Sequence, residues 1–284
     1  MLNVLYDTNA LYKPQTLRTL AARSDTIMWG AMVHVVETVA DIVDEQSFRE
    51  ARSHLRLLLE VSPTHFLPNA DTLFRMALGV TEDSDEVRRW RQLAEMIANA
   101  ESLADLDLDF EAARRQREEH GRAFLVPMRE VMIPSIQPRA DTSDQSFNIR
   151  LPAAELQRFR NFLFSDAGRR EVTRGWMARQ GWDRMALPSR LWDRAHEVLE
   201  AYYQTYRGYA VNLFERSLKP RANDALDLDL TLALWEPCWL FVSGDKRLRQ
   251  AMMTGGVPAN KFADVGTLDP AILDMSGCSD VAES

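Results

Sequence analysis

Four short stretches, far apart in the chain, each end a hydrophobic run in an acid: Val4-Leu5-Tyr6-Asp7-Thr8-Asn9, Val35-Val36-Glu37, Asn223-Asp224-Ala225-Leu226-Asp227 and Phe241-Val242-Ser243-Gly244-Asp245. Open α/β sheets bind ligands in the crevice outside the carboxyl ends of their strands, so acids at such places are candidates for one shared site. Carboxylates gathered at one sheet edge repel each other unless a hard divalent cation neutralises them, and Mg2+ or Mn2+ takes such oxygen ligands. The expected chemistry is metal-assisted hydrolysis. His34, His54, His65, His120 and His196 show no HxxxH or HxH spacing, and Cys238 and Cys278 form no CxxC pair. Histidine and thiolate metal sites therefore have little support.

The elements that must position these acids are legible in outline. Residues 2–6 read as a buried strand leading into a helical segment from Leu11 to Ala22. Ile27–Val33 is a second strand candidate, followed by a helix with Val36, Val39, Ala40 and Val43 on one face and Glu37 and Asp41 on its polar side. Helical patterns fill the chain from Phe48 to about Asn99 and from Phe110 to Phe124, and Pro134, Pro138 and the polar run 140–146 read as a linker. Helices resume near Pro152 and end in a long aromatic helix from about Arg190 to Leu218. Asp224–Trp235 alternates leucines as a strand would, but its length and leucine content favour a helix, with Asn223 as its N-cap. Cys238–Ser243 is a buried strand, Lys246–Met253 a helix and Phe262–Val265 an edge strand.

Both ends are thus β-α-β and the middle helical. The simplest architecture is one α/β domain assembled from residues 1–45 and 221–284, with a helical insertion over 46–220 that the linker run would split near 134–150. No apolar run approaches the roughly 20 residues of a membrane span, and the N-terminus lacks the basic start of a signal peptide, so a cytoplasmic protein with no membrane partner is expected. The net charge of −8 is unevenly spread. The two terminal segments hold 8 basic against 16 acidic residues, whereas residues 150–220 hold 13 basic against 8 acidic.

The motifs resemble those of PIN-domain nucleases, whose first strand ends in Asp followed by Thr or Ser and Asn, as Asp7-Thr8-Asn9 does. The resemblance extends to the helical Glu37, to an acid-led helix at Asp224 or Asp227, and to a last strand ending Ser243-Gly244-Asp245. It covers about 115 residues, and the insertion falls outside it. It implies a three-layer PIN-like domain with a central parallel sheet, Mg2+ or Mn2+ as cofactor, and hydrolysis of RNA phosphodiester bonds. Asp7, Glu37, Asp227 and Asp245 would then be metal ligands and Asp224 a ligand or water-positioning group, with Asn9 and Ser243 orienting those carboxylates. A toxin-like role under an inhibitory partner protein is compatible with it, as is a homodimer.

Residues 150–220 interleave arginines with Phe159, Phe162, Phe164, Trp176, Trp182 and Trp192. Such a mixture suits single-stranded RNA, for which Arg169, Arg170 and Arg174, with Lys246 beside the acids, are candidate contacts. An ordinary helical core with solvated arginines would read the same way. Two other functions compete with the nuclease. A haloacid-dehalogenase-like phosphatase also opens with a strand ending in Asp, but needs a second Asp two residues on, where Asn9 stands. A catalytically silent scaffold binding RNA or protein would keep the fold without the chemistry.

Overall fold

The computed structural model describes residues 1–80, 85–127, 151–182, 189–216, 220–221 and 223–269. The linker reading over 134–150 and Cys278 lie outside them. The chain divides into two units, the first comprising Met1–Arg117, Glu236–Arg249 and the residues from Pro258 on, the second Glu118–Trp235 and Gln250–Val257.

The first unit is α/β. Its five strands are β1 (Leu2–Tyr6), β2 (Thr26–Ala31), β3 (Phe66–Leu67), β4 (Trp239–Ser243) and β5 (Phe262–Asp264). They form one sheet in the order β3-β2-β1-β4-β5, with every pairing parallel. A parallel sheet is covered on both faces, which is why β1 and β4 read as unbroken hydrophobic runs; Val4, Leu5, Tyr6, Phe241 and Val242 are all fully buried. From β1 the chain winds outward through β2 to β3, whereas β4 and β5 build the other wing. The direction of winding reverses between β1 and β4, which pair from Asn3↔Trp239 to Tyr6↔Val242.

Around the sheet stand α1 (Pro14–Ala21), α2 (Met32–Ala40), α3 (Glu45–Val61), α4 (Ala70–Ala77) and α5 (Asp85–Asn99), with α6 (Phe110–Pro127) following. Proline opens α1, where its missing N–H costs nothing, and Asp44 caps α3 by accepting from the Ser47 N–H at 2.8 Å. Leu17, Leu20, Val35, Val39, Leu55, Leu58 and Ile97 share one core with Val4 and Tyr6. The α/β part therefore runs well past residue 45: α3 and α5 pack on the sheet, and β3 is a strand inside the segment read as all helix. Two residues of strand between Pro63 and Pro68 are too short to show a period.

The second unit is helical among its described residues: α7 (Ala153–Leu163), α8 (Asp166–Arg179), α9 (Ser189–Val198), α10 (Glu200–Glu215), α11 (Asp224–Leu230) and a 3-10 turn over Thr231–Trp235. Helix α12 (Lys246–Gly255) follows β4. The single aromatic helix expected from 190 onward is two helices that meet at Leu199. Asn223 precedes α11 without a side-chain cap bond; the Arg221 N–H is instead accepted by Asp224 at 2.7 Å. Gly208 and Gly255 let α10 and α12 touch backbone to backbone, since a Cβ would stand 1.9 Å from the Ala251 carbonyl at one and 1.7 Å from the Gln204 carbonyl at the other.

Asp229 is buried in this unit. Its Oδ1 accepts from the Trp176 indole N–H at 3.0 Å and from Arg179 at 3.5 Å, and its Oδ2 lies 3.0 Å from His120 Nε2. Arg179 also donates to the Tyr202 hydroxyl at 3.0 Å and lies over the rings of Phe124 and Tyr202. A charge buried here is paired and hydrogen-bonded. No helix among the described residues is long and apolar enough to cross a membrane.

Candidate active site

Three of the predicted acids belong to the first unit, each just past the end of a strand or within the helix that follows one. Asp7 follows β1, Asp245 comes two residues after β4, and Glu37 sits in α2 behind β2. Since β1 and β4 flank the reversal of winding, Asp7 and Asp245 stand where an open α/β sheet forms its crevice.

Asp7 is completely buried. Its Oδ1 accepts the Ala10 N–H at 2.8 Å, which caps a 3-10 turn over Thr8–Tyr12, and the Gly244 N–H at 3.4 Å. Its Oδ2 accepts the Ser243 hydroxyl at 2.5 Å. Ser243 in turn accepts the Asp245 backbone N–H at 2.9 Å, so one hydroxyl, 236 positions from Asp7, links the Asp7 carboxylate to the peptide that carries Asp245. Gly244 lies against Asn9; a Cβ there would come within 3.2 Å of the Asn9 Cβ. Asp245 Oδ1 receives the N–H groups of Arg247 at 2.5 Å and Leu248 at 3.2 Å, capping α12.

Glu37 was expected on the polar face of its helix, but every residue of α2 is buried and Glu37 is 5% exposed. The Thr8 hydroxyl donates to its Oε2, so the residue after Asp7 reaches the second acid directly. Burial is the main cause that raises both carboxyls. Asp7 is raised by desolvation, against hydrogen bonds from Ser243, Gly244 and Ala10, with further repulsion from Asp245. Glu37 is pushed up to about 7 by desolvation, opposed by the Thr8 bond and by the nearby Arg117 charge and reinforced by the charges of Asp7 and Asp41. Among the described residues no Lys or Arg forms an ion pair with Asp7, Glu37 or Asp245.

Ser243 holds a carboxylate as expected, while the exposed Asn9 side chain makes no hydrogen bond to these acids among the described residues. Thr8 takes that part for Glu37. Two further residues escaped sequence reasoning. His34, buried and stacked on Tyr6 at 4.8 Å, accepts the Ala31 N–H on Nδ1 at 2.9 Å and therefore donates from Nε2 to the Tyr6 carbonyl at 2.6 Å. It joins the peptide before Asp7 to the start of the helix that carries Glu37. Arg249 donates to the Ser243 carbonyl and to Asp264, each at 2.5 Å, and so fixes the end of β4. An isolated His and one Arg in a basic helix carry no spacing signal, so only the fold could reveal them.

Asp224 and Asp227 belong to the second unit. The Tyr209 hydroxyl donates to Asp224 at 2.6 Å, and Asp227 lies buried on α11. Lys246, the first residue of α12, is exposed. Of the arginines on α8, Arg169 pairs with Glu200 at 2.6 Å and donates to the His196 carbonyl at 3.0 Å, and Arg174 pairs with Glu171 at 3.2 Å. Arg170 is exposed.

The donor set of the first unit is all oxygen, with two buried carboxyls that form no ion pair among the described residues, and in its chemistry it suits a hard divalent ion. Among the described residues no three His, Cys, Asp or Glu side chains already converge as ligands. Comparison with protein-family models, with curated proteins and with solved structures found no match.

Proposed function

We propose that this protein is a PIN-like, metal-dependent endoribonuclease whose centre is Asp7, Glu37 and Asp245. The observation that carries the reading is the joining of Asp7 to Asp245 through Ser243 at the reversal of the sheet, with Glu37 tied in by Thr8. Buried acids with raised pKa values and no ion pair cluster at functional sites, because the cost of holding them needs a use. Asp7, Glu37 and Asp245 would hold Mg2+ or Mn2+, which supplies an activated water and charge stabilisation for phosphodiester hydrolysis. Ser243 and Thr8 hold the two carboxylates in place, while the neutral donors on Asp7 keep it from turning away. Asp224 and Asp227 enter through the resemblance alone, and the proposal does not require them.

The competing scaffold reading has one observation in its favour: Asp7 and Asp245 each already cap a turn or helix. A phosphatase using Asp7 as nucleophile is disfavoured by an Asp7 whose two oxygens are both engaged by donors and by an asparagine two residues on. Incubation of purified protein with mixed RNA and single-stranded DNA, with Mn2+ or with chelator, tests the proposal. RNA cleavage that requires the metal supports it. Absence of cleavage, with no heat of Mn2+ binding by calorimetry, would leave the scaffold.

A further inference from the structure

Tyr12 is 64% exposed, whereas Ala10 and Leu11 just before it are buried. It ends the 3-10 turn over Thr8–Tyr12 that Asp7 caps. With three residues per turn, side chains three apart eclipse, so Asn9 and Tyr12 share one face of this turn, and they are its two exposed residues. Thr8 and Leu11 share another face, turned inward: Thr8 reaches Glu37 and Leu11 is buried. The outward face starts beside the acids, because Asn9 stands against Gly244, the residue between Ser243 and Asp245. At a rise of about 2.0 Å per residue, Tyr12 lies about 6 Å beyond Asn9 along the turn. Its ring is held on one side by the His54 imidazole of α3, in a T-shaped contact with centroids 4.5 Å apart and planes at 77°. Burial lowers the His54 pKa, against the charge of Glu50, so the imidazole packs as a neutral ring at neutral pH. Among the described residues the Tyr12 hydroxyl makes no hydrogen bond.

We propose that Tyr12 is the stacking residue for a base of the single-stranded RNA whose phosphodiester lies at Asp7, Glu37 and Asp245. The inference deepens the nuclease reading and rests on it for the substrate. Single exposed apolar residues are ordinary on a protein surface, and exposure alone would say nothing. Tyr12 is set apart by its place: one short turn carries a proposed metal ligand at its start and a fixed, bare ring at its end. A strand held by its phosphate at the acids lays its neighbouring bases on the surface beside them. A ring already fixed in position stacks such a base with little further loss of freedom, whatever the sequence.

The test uses the full chain carrying Asp245→Asn, which suppresses cleavage and leaves the Asp7 cap of the turn in place. Fluorescence anisotropy is read in Mg2+ with a labelled oligouridylate and with an abasic strand of equal length. Against this parent, Tyr12→Ala should bind the oligouridylate about tenfold more weakly, which is about 1.4 kcal/mol and within the range of one stacked base. The abasic strand should bind the parent and Tyr12→Ala alike, and Tyr12→Phe, which keeps a ring, should bind both strands as the parent does. An unchanged oligouridylate affinity in Tyr12→Ala, an equal loss on both strands, a loss in Tyr12→Phe as large as in Tyr12→Ala, or a parent dimer that Tyr12→Ala alone breaks would overturn the proposal. Cleavage by the unsubstituted chain is scored separately. RNA cutting without base-dependent binding at Tyr12 overturns the stacking role and leaves the nuclease, whereas base-dependent binding in a protein that cuts nothing supports the stacking role and refutes the nuclease.

Discussion

Each unit buries carboxylates, and they are held in opposite ways. Asp229 in the helical unit has Arg179, His120 and an indole N–H around it. Asp7 and Glu37 in the α/β unit take their hydrogen bonds from hydroxyls and backbone N–H groups, and Arg117, paired with Asp41, reaches Glu37 only as a nearby charge. A buried charge that meets a protein cation is a structural element whose cost is met inside the fold. One that meets only neutral donors is held at a cost that an external cation can offset. The contrast separates the acid that maintains the fold from the acids proposed to do chemistry.

The largest effect should come from removing an acid of the α/β unit. Asp7→Asn and Asp245→Asn should each lower Mn2+-dependent RNA cleavage by roughly 10³-fold, the scale on which a preorganised electrostatic group acts. Circular dichroism should show both variants folded, and cleavage at the parent rate in both would remove the site. The sign of the stability change then sharpens the comparison. Asp229→Ala should destabilise by about 3–5 kcal/mol in urea, because it strands Arg179 in the interior. Asp7→Asn in chelator should instead hold or raise the urea midpoint, because the amide keeps an acceptor and sheds the charge.

A third break lies in pH. Glu37 holds its proton more tightly in the fold, with a pKa of about 7 against an ordinary 4.5. Its contribution to stability is complete below about pH 4.5 and is lost as pH rises through 7, a change of about 3 kcal/mol at most. Chelated protein should therefore lose stability between about pH 4.5 and 7, and Glu37→Gln should flatten that slope. His34, pushed down to about 4 by burial, acts in the other direction: its contribution is present above about 6.5 and lost as pH falls toward 4. The smallest effect should follow Arg169→Gln/Arg174→Gln, whose guanidinium groups already face Glu200 and Glu171. Oligouridylate affinity should change less than about twofold, in keeping with surface pairs worth under 1 kcal/mol.

β1 and β4, and the acids that follow them, were legible because a strand covered on both faces leaves an unbroken apolar run and a polar residue marks its end. The pairing of β1 with β4 was accessible from those runs and from the reversal that a β-α-β unit at each end implies. Glu37 was misread because α2 is buried all round, so its polar residue has no polar face to announce. Asp229 gave no signal in the sequence, its partners Trp176, Arg179 and His120 being 50 or more positions away. Thr8 and His34 act through single hydrogen bonds to atoms that only the fold brings near. The division at residue 45 missed α3 and α5, because amphipathic helices look alike whether they cover a sheet or pack on other helices.

The neighbouring places of β1 and β4 in the sheet also set a time order for biosynthesis. A ribosome must deliver more than two hundred residues after Tyr6 before its partner Val242 exists, and until then one edge of the first strand stays open to any passing chain. Asp7 cannot meet Ser243 earlier than that. An unfinished polypeptide therefore holds an Asp7 without its hydroxyl donor, and the cluster can close only once translation has passed the fourth strand.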